Sequence, residues 1–211
     1  MITVSGVDIP LVSSPVAVNF SGGADSSILL YILMKYSRYP IHVCTCVTNS
    51  GNGGHAETSA TVLNRCVELT DNLSIYHHVW YQRESNDPKL LWDIESKLLN
   101  KLDISTVYVG TTANPPQDVS DLFVQSPTEV FHLEDRDPAK LRKVINISEN
   151  WQFILPFTNI DKRRVMSIYR ELGLLDALYP LTRSCRSITF RASTEPCGVC
   201  WSCKEREWGL T

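Results

Sequence analysis

The string Val16-Ala17-Val18-Asn19-Phe20-Ser21-Gly22-Gly23-Ala24-Asp25-Ser26-Ser27 joins a short apolar run to an Ile- and Leu-rich stretch, Ser26 to Tyr36, across two adjacent glycines. The first run is too short for a helix and stops at glycine, as a buried parallel strand does, while the second has helical length. Strand, glycine turn and helix are the opening unit of an α/β fold. The alternation then repeats. Ile41 to Val47 reads as a strand ending in the Gly/Asn cluster Asn49 to Gly54. His55 to Asp71 reads as a helix, with Ala56, Ala60, Leu63, Val67 and Thr70 at three- and four-residue steps. Ser74 to Trp80 follows as a strand, and Lys89 to Leu102 as a helix whose Leu91, Ile94, Leu98 and Leu102 form one stripe. Thr106 to Gly110 is the next strand. This order predicts an α/β, doubly wound parallel sheet with helices on both faces and ligands at the carboxyl ends of the strands.

From Ala113 to Ser148 the periodicity is lost, with Pro115-Pro116 and the charged Glu134-Asp135-Arg136-Asp137 inside it; a substrate loop, a lid and a surface excursion are all open readings. The core resumes at Trp151 to Phe157, and Asp161 to Leu172 is a helix closed by Gly173. Two regions are expected, residues 1–180 forming the nucleotide domain and residues 181–211 a cysteine-bearing element packed on it.

Composition narrows the partners. The chain has 211 residues, 43% of them hydrophobic, and 20 Lys+Arg against 23 Asp+Glu give a net charge of −3. So much apolar surface with so little net charge argues against disorder, and the charge balance against a grip on long nucleic acid. No stretch approaches the roughly 20 consecutive apolar residues of a membrane span, and the N-terminus lacks a basic segment followed by an apolar run. A soluble, cytoplasmic protein is expected.

The glycine turn is built to hold phosphate. Gly22 and Gly23 let the backbone approach an anion without Cβ obstruction, and the following helix directs free N–H groups and its positive end to the same point. Ser21, Ser26 and Ser27 add hydroxyl donors. Asp25 would be repelled by bare phosphate, so it orients the loop or works through Mg²⁺. G-x-x-x-x-G-K-[ST] and G-x-G-x-x-G are both absent, which excludes the usual P-loop NTPases and the dinucleotide fingerprint.

Four of the seven cysteines lie near the C-terminus as Cys185, Cys197, Cys200 and Cys203, spaced C-x11-C-x2-C-x2-C. Four thiolates satisfy tetrahedral Zn²⁺, and Gly198 permits the turn that aims two sulfurs at one ion. An all-protein donor set makes the site closed and structural. An iron–sulfur cluster is the alternative. Cys44, Cys46 and Cys66 fall at apolar strand or helix positions and read as core. Trp80, Trp92 and Trp151 read as core or edge aromatics, and Trp201 as a cover for the cysteine turn or a platform for a base.

The S-G-G-x-D-S string resembles the signature of the N-type ATP pyrophosphatases (the PP-loop superfamily), which include NAD and GMP synthetases, asparagine synthetase, tRNA-thiolating enzymes and 7-cyano-7-deazaguanine synthase. Three further segments follow the order of the last of these families: Leu155-Pro156-Phe157-Thr158-Asn159-Ile160-Asp161-Lys162, then Leu172-Gly173-Leu174 and Thr182, then the cysteines with Lys204 and Arg206. The resemblance implies an ATP-dependent adenylating ligase that converts 7-carboxy-7-deazaguanine and ammonia to the nitrile, releasing pyrophosphate and AMP, with Mg²⁺ at the phosphates and structural Zn²⁺. It implies nucleotide contacts from Val18, Asn19, Phe20, Ser21, Gly22, Gly23, Asp25, Ser26, Ser27 and Gly110, catalytic roles for Ser21, Asp25, Ser26 and Lys162, and a homodimer as the default assembly.

The middle third departs from that pattern. Asn49-Ser50-Gly51-Asn52-Gly53-Gly54-His55-Ala56-Glu57 keeps only a Gly, a His and a Glu of the family's second-strand element. The family's Pro-x-Arg-Asn is missing, and Asp87-Pro88-Lys89 occupies about its place, which makes Lys89 a candidate for the lost cation. Gly110-Thr111-Thr112-Ala113-Asn114-Pro115-Pro116-Gln117-Asp118, where the family reads its base, does not reproduce the family's Asp/Tyr/Pro/Asp arrangement, and Asp118 is the candidate for that role. The acceptor is therefore the least constrained element. ATP chemistry on a different carboxylate or amide, sulfur or amine delivery to a tRNA base or another acceptor, and a non-catalytic zinc-containing interaction module with a vestigial loop are the competing readings.

Overall fold

The computed structural model describes residues 1–48, 56–82, 88–123, 136–137, 139–140, 142–148, 151–185 and 196–211. In chain order the strands are β1 (Ile2–Val4), β2 (Val7–Ile9), β3 (Val16–Asn19), β4 (Ile41–Thr48), β5 (Ile75–Gln82), β6 (Thr106–Val109), β7 (Val144–Ser148) and β8 (Trp151–Ile154). The helices are α1 (Ala24–Tyr36), α2 (Ala56–Thr70), α3 (Pro88–Lys101), α4 (Gln117–Phe123), α5 (Lys162–Glu171) and α6 (Trp201–Leu210).

Six strands form one sheet in the order β5-β4-β3-β6-β8-β7, and β3 pairs in parallel with β4 on one side and β6 on the other. The chain steps outward from β3 through β4 to β5, then returns across the sheet to β6. The carboxyl ends of β3 and β6 are thus the switch point where an α/β sheet opens a crevice. Alternation along β3 sends Val16 and Val18 to one core and Ala17 to the other. The first core packs the sheet against α1, α2 and α5, and the second gathers Cys44, Leu99, Ile104, Val107, Phe153 and Leu155. Helix α1 is buried from Ser26 through Met34, so it is apolar nearly all round, as a central helix must be.

Three elements depart from the pattern expectations. The edge strand β7 runs antiparallel to β8, so the sheet is mostly rather than wholly parallel. Within Ala113 to Ser148 lie both α4 and β7, where periodicity indicated neither. The first residues form a β1–β2 hairpin turned by Ser5 (φ 48°) and Gly6 (φ 67°). Among the described residues, no helix is long and apolar enough to cross a membrane.

Candidate active site and metal centre

Phe20 leaves β3 with its N–H bonded to the Cys44 carbonyl, and the chain then turns at Gly22, whose φ of 73° lies in the left-handed region that glycine adopts without penalty. Gly23 starts α1 without a side-chain cap. The loop is braced from inside: Ser26 Oγ and Ser27 Oγ donate to the Gly23 carbonyl at 3.2 and 2.7 Å, and the Gly23 N–H reaches Ser21 Oγ at 3.3 Å. Ser21 Oγ and Ser26 Oγ lie 3.1 Å apart. Ser27 is fully buried, so its hydroxyl shapes the turn, whereas Ser21 is exposed.

Gly110, the residue after β6, closes the switch point. A Cβ there would lie 2.8 Å from the Ser26 nitrogen and 2.9 Å from the Asp25 carbonyl carbon, so only glycine lets β6 approach the start of α1. Val18 and Phe20 are buried in the first core, so their side chains are not free to contact a nucleotide. Asn19 ends β3, paired with Val109 and Cys44.

Lys162 opens α5, capped by Asp161, whose carboxylate accepts the Arg164 N–H at 3.1 Å. Its ammonium donates to Asp25 Oδ1 at 2.6 Å and also to Oδ2. The lysine side chain is 3% exposed and the Asp25 side chain 21%, so the loop's carboxylate neutralises a cation that water barely reaches. Asp25 is therefore paired directly with Lys162, which the sequence reading assigned to the phosphates. Tyr169 of α5 adds a second tie, its hydroxyl donating to the Ala24 carbonyl at 2.8 Å. The Arg183 N–H donates to the Gly22 carbonyl at 2.9 Å.

Cys185, Cys197, Cys200 and Cys203 bring their four sulfurs within 4.8 Å of one another. The Cys197 N–H points at the Cys185 sulfur and the Cys200 N–H at that of Cys197, both at 3.4 Å. Burial opposes ionisation of Cys197, yet backbone donors at Cys200 and Val199 bring its thiol down to about 7. Burial instead pushes Cys203 up. The donor set fits a single soft divalent ion: tetrahedral Zn–S bonds of about 2.3 Å would set the sulfurs about 3.8 Å apart. Trp201 is buried, at an edge-to-face angle to Phe123 of α4 with ring centroids 5.4 Å apart, so it offers no free face to a base.

An ion pair invisible in the sequence pattern lies between these two sites. Arg136 bonds the Thr112 carbonyl (2.8 Å) and hydroxyl (2.8 Å), the Ala113 carbonyl (2.7 Å) and both carboxylate oxygens of Glu205. Burial works against its charge, but Glu205 and the more distant Asp25 outweigh it and raise the guanidinium's pKa. Glu57 sits exposed in the first turn of α2, and Asp118 in that of α4. His55 and the rest of the Asn49–His55 segment lie outside the described residues, as do Asp87 and the side chains of Lys89 and Trp92. Cys44 and Cys66 are buried and Cys46 half-buried, and burial pushes all three thiols up, Cys66 to about 12.

Residues 88–211 match the family described as queuosine biosynthesis protein QueC. The chain belongs to this family. The QueC match takes in Lys162 and all four clustered cysteines and begins after the glycine loop, so the Lys162–Asp25 pair joins the matched part to the loop. No curated protein matches the chain. Among solved structures it is similar to the U34-tRNA thiolase NcsA from Methanococcus maripaludis with its 4Fe-4S cluster. Identity there is 19% and the TM-score 0.44, over 77% of this chain and 57% of that one. It is also similar to a predicted subunit of tRNA methyltransferase from Methanocaldococcus jannaschii, at 21% identity and a TM-score of 0.36 over 75% of each chain. The chain thus spans little more than half the thiolase's length.

Proposed function

We propose that this protein is an ATP-using adenylating enzyme that holds the triphosphate on the Ser21–Ser27 loop and activates the carboxylate of a purine-like acceptor, 7-carboxy-7-deazaguanine, for amination toward the nitrile. One observation carries this reading. The Lys162–Asp25 pair sits at the sheet's switch point, where the QueC-matched part of the chain meets a phosphate-type glycine loop. An acceptor carboxylate oxygen attacks the α-phosphorus, the bond to the β-phosphate oxygen breaks, and pyrophosphate leaves. Ammonia then displaces AMP and loses a proton to give the amide; the amide oxygen attacks the α-phosphorus of a second ATP, pyrophosphate leaves again, and loss of AMP and a proton gives the nitrile. The loop N–H groups and the positive end of α1 stabilise the charge that builds on the phosphates. Asp25 releases Lys162 toward those phosphates while Ser21 and Ser26 orient the loop. Mg²⁺, held through Asp25, would shield the leaving pyrophosphate.

Sulfur delivery would need a catalytic cysteine pair near the loop, and the buried, hard-to-ionise Cys44 with half-buried Cys46 are poor candidates for it. The four-cysteine centre is read as structural zinc, supported by the close set of the sulfurs.

Purified protein incubated with ATP, Mg²⁺, ammonium and 7-carboxy-7-deazaguanine is expected to release pyrophosphate and AMP and to yield the nitrile by mass. Pyrophosphate with other carboxylates but not this one would reassign the acceptor. No release with any acceptor would overturn adenylation. Asp25→Ala is expected to abolish release while circular dichroism still reports a folded sheet, at a lower melting temperature because buried Lys162 loses its counter-ion.

A further inference from the structure

Helix α6 is tied down along its whole length, and its last turn presses on the root of Lys162. At its start stand Cys200 and Cys203 of the metal centre. Farther along, Glu205 holds Arg136 in the buried pair described above. Arg206 reaches the other way: its guanidinium lies 3.8 Å over the Tyr179 ring and donates to Thr182 Oγ1 at 2.6 Å and the Tyr179 carbonyl at 2.9 Å. The next residue, Arg183, is the one whose N–H holds the Gly22 carbonyl.

The far end of α6 is clamped by α5. Arg163 stacks on the Trp208 ring at 4.5 Å and donates to the Trp208 carbonyl, and Arg170 donates to the Leu210 carbonyl at 2.9 Å. Cations on C-terminal carbonyls suit the negative end of a helix. Between these clamps lies Gly209. A Cβ there would fall 2.5 Å from Lys162 Cγ, 3.1 Å from its Cβ and 3.3 Å from its carbonyl carbon. These atoms are the base of the side chain and the backbone, so no rotamer change of the ammonium end relieves the collision.

Resting on the reading above, in which Lys162 serves the phosphates, we infer that Gly209 is a positioning residue. By having no side chain it lets α6 seat the Lys162 stem so that the ammonium meets Asp25. The metal centre, through α6, is then the back support of the ATP loop rather than a separate fold stabiliser.

The test compares the full-length wild type with Gly209→Ala, Lys162→Ala, the double variant and Glu207→Ala, an exposed control on the same helix. It reads pyrophosphate release, the KM for ATP and thermal melts. Gly209→Ala is expected to lower kcat about a hundredfold, the scale of a misplacement of about 1 Å, with a much smaller change in KM. Glu207→Ala should match wild type. The melting penalty of Gly209→Ala should largely vanish in the Lys162→Ala background, where no Cγ is left to strike. Wild-type kcat in Gly209→Ala, or an equal melting penalty with and without the Lys162 side chain, overturns the inference. If Gly209→Ala does not fold alone, recovery in the double variant supports the inference and failure there overturns it. An inactive wild type defeats the ATP reading instead, and the melts still decide whether Gly209 exists for Lys162.

Discussion

Arg136 and Glu205 form a pair whose side chains are 16% and 4% exposed, with the guanidinium also bonded to two backbone carbonyls after β6. Removing one charge from such a pair leaves the other buried without a counter-ion, which costs about 3–5 kcal/mol. Glu205→Gln is therefore expected to lower the unfolding free energy by an amount in that range, read as a lower denaturant midpoint at unchanged m-value, and a loss below about 1 kcal/mol would show the pair to be solvated in solution. The pair escaped the sequence because residues 136 and 205 share no pattern, whereas Asp25 and Lys162 stood inside recognisable strings. Even there the strings gave the residues and not their relation. Nothing in S-G-G-x-D-S states that its aspartate will be satisfied by a lysine 137 positions away.

At the scale of elements, β4 and β5 carry a histidine ladder. His42 Nδ1 and His78 Nε2 are 3.0 Å apart, the rings are stacked, and Tyr76 stacks on His42 at 4.8 Å; on the opposite face His77 meets Thr45 Oγ1 at 2.9 Å. Burial lowers the pKa of all three imidazoles, and the charge of His78 lowers those of His42 and His77 further. A lowered imidazole pKa means that the unfolded chain binds more protons than the folded one just below the ordinary value of about 6.5. Stability is then full above that value and falls as pH drops through it. Burial also raises Glu95 to about 7, which adds stability as pH falls through the same window, so the comparison is between variants. Melts taken from about pH 7.5 to about pH 5.5 should fall less steeply, or rise more, in His42→Phe, which keeps the stack but removes one titrating ring, than in the wild type. Equal slopes in the two would contradict the assignment.

The strand–helix alternation through β6 was legible because its apolar runs are long enough to show a period. The hairpin strands, three residues each, are too short to show one. Helix α4 did carry a start signal, the Pro115-Pro116 pair, with the Ser120 N–H bonded to the Pro116 carbonyl, but its seven residues are too few to display a stripe.

Across the whole molecule, α6 brings the cysteine cluster, the Arg136 pair and Lys162 into one load path, so the identity of the metal matters beyond its own site. Four sulfurs within 4.8 Å of one another can close on a single tetrahedral ion. Metal analysis of protein purified without added metal should give about one zinc per chain and no iron or acid-labile sulfide, the count that four thiolates on one ion require. The spacing of the cysteines leaves both options open, because C-x2-C-x2-C serves either, and the metal count is what separates them. Iron with sulfide at cluster stoichiometry would overturn the zinc reading. Zinc bound only in the folded chain also adds its binding free energy to folding, so a chelator strong enough to strip it should lower the melting temperature. If α6 is the support described above, stripping should also weaken ATP binding under conditions where circular dichroism still reports a folded sheet. Loss of melting temperature without loss of ATP affinity would confine the metal to the C-terminal element.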